Sequence, residues 1–314
     1  MLRTSMLTCT LALALLGLGL DLARADDTPA AEQPAAVAAE PSDFMRLVRD
    51  DEEEPISLDT AVVRYQHQAA EDGVVVDLIG VIHIADEAYY SQMNELFEQY
   101  DVLLFEMVSP KSDKVSGGSK AALRALHNQQ TQMQKQLGLA YQLDEVDYSA
   151  KNFVHADMSA EEMLESMEKN GELGISLIAR LIAQNIVLQT RMQGKGSDLD
   201  LLFAYLADDP HLAMKRVMSE MLIEGGVALD AFEAAEGSTL ITHRNKVALG
   251  VLDEQLKAGK KKIGIFYGAG HMADMERRLK DEFGLHPVEQ TWMVAWDMRT
   301  EVEGEEVVAE GEEE

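Results

Sequence analysis

Two segments far apart in the sequence share one local pattern, in which an apolar run leads to a Gly-x-x-His turn and a helical pattern follows. The first run spans residues 73–82 and leads to His83, and the second spans residues 262–266 and leads to His271. Short apolar runs rich in β-branched residues predict buried strands. Between the first run and a third one, residues 102–107, Asp86 is the expected N-cap of a helix, and one apolar face of that helix is formed by Tyr89, Met93, Leu96, Phe97 and Tyr100. Such a strand–helix–strand unit predicts parallel strands joined by a right-handed crossover. We therefore predict an α/β fold with a central, mostly parallel mixed sheet flanked by helices.

A long helical pattern separates the two units. Residues from about 115 to 238 are rich in Met, Leu, Gln and Glu, and Ser159 with Glu162 predicts a capping box at one helix start. We predict that this segment is an all-helical insertion in a single domain of residues 43–300. Met at helical spacing is typical of an ordinary core, although a Met-rich face can also form an adaptable lid over a ligand.

The amino terminus has the layout of a secretory signal peptide, residues 1–25. A Met-Leu-Arg start is followed by an apolar run at residues 11–20 and by Ala-Arg-Ala ending at Ala25. We predict cleavage after Ala25 and a mature protein that is periplasmic or secreted. The apolar run has about half of the roughly 20 residues that a membrane-spanning helix needs, so no membrane span is predicted after cleavage. Loss of Cys9, the one cysteine, excludes disulfides and thiolate chemistry from the mature chain.

Two further segments have the composition of disordered chain. Residues 26–42 are rich in Ala, Pro and Glu, and residues 301–314 form an acidic tail. The formal net charge of the full chain is -29 at pH 7. Because a polyanion is repelled by nucleic acid and by anionic membrane surfaces, neither is predicted as a partner.

The two Gly-x-x-His turns occupy the same predicted place, the carboxyl end of a strand. Gly80 precedes His83, and Gly268 and Gly270 precede His271. In open α/β sheets ligands bind at this edge, and glycine lets the backbone turn sharply or approach a bound group. If the two strands are neighbours, the two imidazoles converge in one crevice. Either histidine taken alone is more typical of a strand-end residue hydrogen-bonded to backbone than of a ligand.

Two charged residues fall at positions predicted to be buried. Glu106 interrupts the apolar run 102–107, and Arg244 lies on the apolar face of its helical segment. A buried carboxylate requires a metal ion, an arginine or a proton. A buried guanidinium requires an anion, which is either Glu106, a substrate carboxylate or the oxyanion of a tetrahedral intermediate. The plain alternative is a structural ion pair, but the coincidence with two matched turns favours a functional site.

Two imidazoles and one carboxylate form a common ligand set for a divalent metal with open positions for water. We therefore predict a metal site formed by His83, Glu106 and His271. Without cysteine ligands the site suits Mn, Co or Zn, and the sequence does not choose among them. Such an ion lowers the pKa of its bound water and polarises a carbonyl group.

At these residues the sequence resembles the TraB/GumN family, also called pheromone-shutdown proteins. This family includes the TIKI metalloproteases and is related to the erythromycin-esterase and ChaN-like proteins. The matching stretches are residues 80–107 and 243–279, which contain the paired Gly-x-x-His motifs, a strand-end Glu and a helical Arg-Asn. These stretches lie on either side of the predicted helical insertion. The insertion itself resembles the family only in its helical character.

The resemblance implies that His83, Glu106 and His271 correspond to the metal site proposed for the family, with Arg244 as its essential arginine. It also implies metal-dependent proteolysis, chiefly through the TIKI branch. One departure is visible, because the family usually has Glu before Arg-Asn and this sequence has His243. The departure leaves open whether His243 tunes the arginine or has no role.

The leading hypothesis from the sequence is an exported metal-dependent hydrolase, peptidase-like, that acts on a peptide bond or a related small ester or amide. In this hypothesis the metal-bound water is the nucleophile, and Arg244 stabilises the developing negative charge. The alternative is a non-catalytic protein that sequesters a peptide signal or a haem-like ligand in the same crevice. The Met-rich helical segment is compatible with that alternative.

Overall fold

Seven of the strands form one mixed sheet in the computed structural model of the chain. The structure describes residues 43–67, 73–108, 134–172, 196 and 198–300. These residues belong to one compact unit. The predicted signal peptide, linker and acidic tail lie outside the described residues, as does a large part of the predicted helical insertion.

The described residues form nine strands and seven α-helices. The strands are β1 (Met45–Arg49), β2 (Pro55–His67), β3 (Val75–Val81), β4 (Ile84–Ala85), β5 (Val102–Phe105), β6 (Ala140–Tyr141), β7 (Phe153–His155), β8 (Lys262–Gly268) and β9 (Leu285–Asp297). The helices are α1 (Glu87–Phe97), α2 (Gln142–Glu145), α3 (Ala160–Lys169), α4 (Asp198–Tyr205), α5 (Pro210–Glu236), α6 (Arg244–Lys257) and α7 (Met272–Phe283). A π-helical turn, Thr239–His243, precedes α6, and a 3-10 turn, Ala269–His271, precedes α7.

The strand order explains how the two Gly-x-x-His turns come together. The order is β1-β2-β3-β8-β5-β7, with β9 paired to β2, and β3, β8, β5 and β7 run parallel. The strands β1, β2 and β9 contribute antiparallel pairings. Because β3 and β8 are hydrogen-bonded neighbours, the turns that follow them leave the sheet at one edge. The predicted α/β fold with a central mixed sheet flanked by helices is confirmed.

The segment predicted to be entirely helical contains two short strands among its described residues. The strand β7 pairs in parallel with β5, from Leu103 with Phe153 to Phe105 with His155, and β6 pairs with β4. A strand edge presents unpaired backbone groups, and β7 satisfies those of β5 on the side away from β8. The insertion therefore contributes a strand to the main sheet. The sequence did not predict this strand because most of the insertion has helical periodicity.

Alternation of side chains along the parallel strands divides the core into two layers. Leu78, Leu104 and Ile265 pack on one face of the sheet together with residues of α6 and α7. The intervening residues, such as Leu103 and Phe266, pack on the opposite face with α1. Successive residues of a strand point to opposite faces, so strands buried on both faces need the continuous apolar runs seen in the sequence.

Helix α1 buries the face predicted from its periodicity, formed by Tyr89, Met93 and Phe97. The predicted capping box of α3 is present, with Ser159 and Glu162 bonded to each other's backbone. Within the described part of the chain, none of the helices has the length and apolarity needed to cross a bilayer.

Candidate functional site

Four parallel strands bring polar side chains to one edge of the sheet. His83 follows β3, and Glu106 follows β5 directly. Asp157 follows β7, and His271 follows β8. Arg244 reaches this group from the first turn of α6. Carboxyl ends of neighbouring parallel strands are the usual ligand-binding edge of an open α/β sheet.

Arg244 lies between two carboxylates. Its Nη2 donates to Glu106 Oε1 at 2.5 Å and to Asp157 Oδ2 at 2.6 Å, and its Nε donates to Asp157 Oδ1 at 2.9 Å. The exposed fractions of the Arg244, Glu106 and Asp157 side chains are 9%, 14% and 0%. These two partners hold the guanidinium charged and raise its pKa further, against the opposing effect of burial. The arginine therefore fixes Glu106 and Asp157 in a single buried ionic group.

Glu106 is ionised and held on both oxygens. The backbone N–H of Gly268 donates to Oε2 at 2.7 Å, while Oε1 accepts from Arg244. A Cβ at position 268 would lie only 3.3 Å from Oε2, so glycine permits this close approach. Burial acts to raise the pKa of Glu106, but the charges of His271, Arg244 and His83 together lower the pKa to about 2.

His271 is buried beside Glu106. Its Nε2 lies 3.6 Å from Glu106 Oε1 and 3.4 Å from Arg244 Nη1, and its Nδ1 lies 2.7 Å from Asn245 Oδ1. Burial is the largest cause that lowers the pKa of His271 to about 4, and the charges of Arg244 and His83 act in the same direction. The imidazole is therefore neutral at neutral pH.

His83 is exposed and lies apart from direct contact with the buried group. Its Nδ1 lies 2.9 Å from Gln142 Oε1, and Gln142 Nε2 donates to the Tyr148 hydroxyl at 2.7 Å. Its charge nevertheless lowers the pKa of both Glu106 and His271, so it lies within electrostatic range of both. The structure thus brings Glu106, Arg244 and His271 into contact and leaves His83 nearby.

The predicted metal site stays a prediction. Among the residues that the structure describes, no three His, Cys, Asp or Glu side chains are grouped closely enough to hold an ion. Two of the predicted ligands, Glu106 and His271, do face each other across 3.6 Å. The third, His83, contacts Gln142 instead.

The predicted supporting glycines differ in their surroundings. Gly80 lies within β3, where a Cβ would meet the carbonyl oxygen of Ala61 at 3.4 Å, so it borders the neighbouring strand. Gly268 ends β8 and contacts Glu106, whereas Gly270 lies inside the 3-10 turn that leads to His271. Of the three, Gly268 is the one whose described contacts include a predicted site residue.

Sequence reasoning missed two residues of the buried group, Asp157 and Asn245. The available signal for Asp157 was the short stretch 153–156, Phe-Val-His-Ala, which a carboxylate follows just as Glu106 follows the apolar residues 102–105. That stretch lies in the segment predicted to be helical, so its strand character was overlooked. Asn245 follows Arg244 directly, and its signal was a polar residue placed next to a buried arginine in the same helix.

His243, the departure from the family pattern, contacts α3. Its Nδ1 lies 2.9 Å from Ser166 Oγ and 3.3 Å from Asn170 Nδ2. Ser166 Oγ also lies 2.9 Å from Thr239 Oγ1, so this polar cluster joins α3 to the π-helical turn before Arg244. π-helical turns occur often at functional sites, where they change the direction of the residues that follow.

Comparison with known proteins gives no match, whether against family models, curated proteins or solved structures. The resemblance to the TraB/GumN family therefore stays a prediction from the sequence motifs.

Proposed function

We propose that the chain is an exported metal-dependent hydrolase that acts on a peptide bond or a related ester or amide. The observation that chiefly supports this proposal is the buried pair of Glu106 and His271, with 3.6 Å between Oε1 and Nε2 at the carboxyl edge of the sheet. A neutral imidazole, an ionised carboxylate and a guanidinium at such an edge are the groups expected of a hydrolytic site.

The donor chemistry of Glu106 and His271 fits a divalent ion. Metal binding requires an ionised carboxylate and a neutral imidazole, and the lowered pKa values of about 2 and about 4 give both groups those states at neutral pH. In addition, the buried ionic group has two carboxylates, Glu106 and Asp157, for one guanidinium. The excess negative charge favours a cation at this position.

In this proposal Glu106 and His271 hold the ion, Mn, Co or Zn, with His83 as the third ligand. When bound, the ion would supply an activated water and polarise the carbonyl of the substrate. Arg244 fixes one oxygen of Glu106 and presents positive charge to the oxygen on which negative charge develops. Asp157 keeps the guanidinium in place through a bidentate contact, and Gly268 fixes the other oxygen of Glu106.

The test is digestion of a peptide library by the purified protein, with a chelator or with added Mn²⁺, Co²⁺ or Zn²⁺, followed by mass spectrometry of the products. We expect cleavage with at least one ion and a loss of more than about 100-fold in the His83→Ala/His271→Ala double variant. His211→Ala is the matched control, because His211 is exposed and its Nδ1 contacts the carbonyl oxygen of Gln136 instead of a site residue.

Equal activity of the double variant and the wild type would overturn the proposal. Tight peptide binding without any product, under every ion tested, would also overturn it and would favour the sequestering protein considered from the sequence. A loss of activity in His211→Ala equal to that of the double variant would assign the effect to histidine removal in general.

A further inference from the structure

Asn245 is a fully buried amide that contacts both the backbone and the side chain of His271. Its Nδ2 donates to the His271 carbonyl oxygen and to Asp274 Oδ2, each at 3.0 Å. A carbonyl oxygen and an ionised carboxylate can only accept, so the nitrogen of the amide must face them. The orientation of the amide is thereby decided, and Oδ1 is the atom that lies 2.7 Å from His271 Nδ1.

This orientation decides where the imidazole carries its proton. An amide oxygen only accepts, so Nδ1 of His271 must donate and carries the hydrogen. On the other side of the ring, Nε2 lies 3.4 Å from Arg244 Nη1, which can only donate. The short contact with Asn245 therefore sets the tautomer, with a proton on Nδ1 and a lone pair on Nε2, and the longer Arg244 contact is compatible with that lone pair.

The amide itself is anchored from α7. Asp274 accepts from Asn245 on Oδ2, which also accepts from Arg278 Nε at 2.8 Å. Its other oxygen, Oδ1, accepts from Arg277 Nη2 at 2.5 Å. Rotation of the amide would break these contacts and place its nitrogen against the ring, so the arrangement is held from outside the site.

We infer that Asn245 is a positioning residue that holds His271 as the Nδ1–H tautomer and presents the bare Nε2 atom to Glu106. The tautomer follows from the contacts alone, and only the use of Nε2 in binding or catalysis rests on the proposed function. An outer partner that fixes a histidine in this way commonly sets both ring orientation and ligand strength. The reacting or ligating atom of His271 is then Nε2.

The experiment is a long-range proton–nitrogen NMR correlation of the histidine rings at neutral pH, with His271 assigned from the signals absent in His271→Ala. In the wild type we expect a protonated Nδ1 and an unprotonated Nε2 for His271. In Asn245→Leu, which removes the acceptor at similar volume, we expect the Nε2–H tautomer to appear, because that proton can then face Glu106. The single ring of His83, which contacts Gln142, serves as an internal control, and its tautomer should be the same in both proteins.

A protonated Nε2 in the wild type would overturn the inference even if no variant folds. An unchanged tautomer in a folded Asn245→Leu protein would overturn it as well.

Activity separates this inference from the proposed function. If the wild type hydrolyses no substrate but shows the expected tautomer, the proposed function fails and the role of Asn245 in fixing the ring stands. If the wild type is active, Asn245→Leu should lower kcat by about 10- to 100-fold, the usual effect of losing such an outer partner. Undiminished kcat in that variant would contradict the positioning role.

Discussion

Arg244 links the two carboxylates of the site into one buried ionic group. The same nitrogen, Nη2, donates to Glu106 and to Asp157, and Nε adds a second bond to Asp157. Removing the guanidinium would leave two carboxylates buried without a counter-charge. Buried pairs of this kind are costly to break because the remaining charge stays desolvated.

We therefore expect Arg244→Leu to lower the free energy of unfolding by about 3–5 kcal/mol. Urea denaturation at neutral pH measures this change. The matched control is Arg277→Ala, because Arg277 is 55% exposed and its ion pair with Asp274 belongs to a class worth at most about 1 kcal/mol. Similar losses of unfolding free energy in the two variants would show that the buried ion pairs of Arg244 stabilise the fold no more than an exposed pair does.

At the scale of residues, the sequence predicted Glu106, Arg244 and His271 but could not decide their contacts. It left open whether Arg244 meets Glu106, a substrate carboxylate or an oxyanion, and the structure shows the contact with Glu106. Asp157 and Asn245 were missed, and for Asp157 the sequence signal is weak because the strand that precedes it depends on the parallel pairing of β7 with β5. Long-range pairing of that kind leaves no periodic trace in a three-residue strand.

Gly264 lets β8 lie against its neighbours. A Cβ at this position would lie 2.5 Å from Leu103 Cδ1 and 3.1 Å from the ring of Tyr100, and both side chains are buried. Gly250, in contrast, lies on the exposed side of α6, where no atom of the described residues lies within 4 Å of the position of a Cβ. The same substitution should therefore act in opposite directions at the two positions.

We predict that Gly264→Ala lowers the free energy of unfolding by about 1–3 kcal/mol, because the core of the sheet must shift to admit the methyl group. Gly250→Ala should instead raise it by about 0.5–1 kcal/mol, since alanine is favoured over glycine inside a helix. Thermal and urea denaturation of both variants provide the measurement. Stabilisation by Gly264→Ala would contradict the described packing of β8 against Leu103 and Tyr100.

At the scale of elements, apolar runs predicted the strands that lie on both sides of β8, because such strands need apolar residues on both faces. Periodicity likewise predicted the buried face of α1. Asp86, expected as its N-cap, stands at that position but makes no side-chain capping bond. Its carboxylate accepts from Lys215 Nζ at 2.8 Å and from the backbone N–H of Asp297 at 2.6 Å, partners that local sequence does not indicate.

The stability of the whole molecule should decrease in acid because both buried site groups have lowered pKa values. Burial, aided by nearby positive charge, lowers the pKa of His271 from 6.5 to about 4, so the unfolded chain takes up this proton first as pH falls. The stability linked to His271 is present above pH 6.5 and lost as pH falls through 4. For Glu106, burial raises the pKa but the surrounding positive charges lower it from 4.5 to about 2, so its contribution is lost over that lower window.

We expect wild type to lose more unfolding free energy than His271→Gln between pH 7 and pH 4, by roughly 3 kcal/mol if the full pKa difference is expressed. Urea titrations at several pH values across that window provide the comparison. His211→Gln, which changes an exposed histidine, should follow the wild type. Parallel curves for wild type and His271→Gln would contradict the neutral, buried state of His271.

The proposed function requires residues from two distant Gly-x-x-His turns to act in one site, which is a property of the folded chain as a unit. The most direct measurement is calorimetric titration of Mn²⁺, Co²⁺ and Zn²⁺ into the wild type, His83→Ala, His271→Ala and His211→Ala. We expect one site per chain in the wild type and in His211→Ala, with affinity reduced at least about 10-fold by loss of either His83 or His271. Unchanged binding in both of those variants, or no binding of any ion by the wild type, would contradict it.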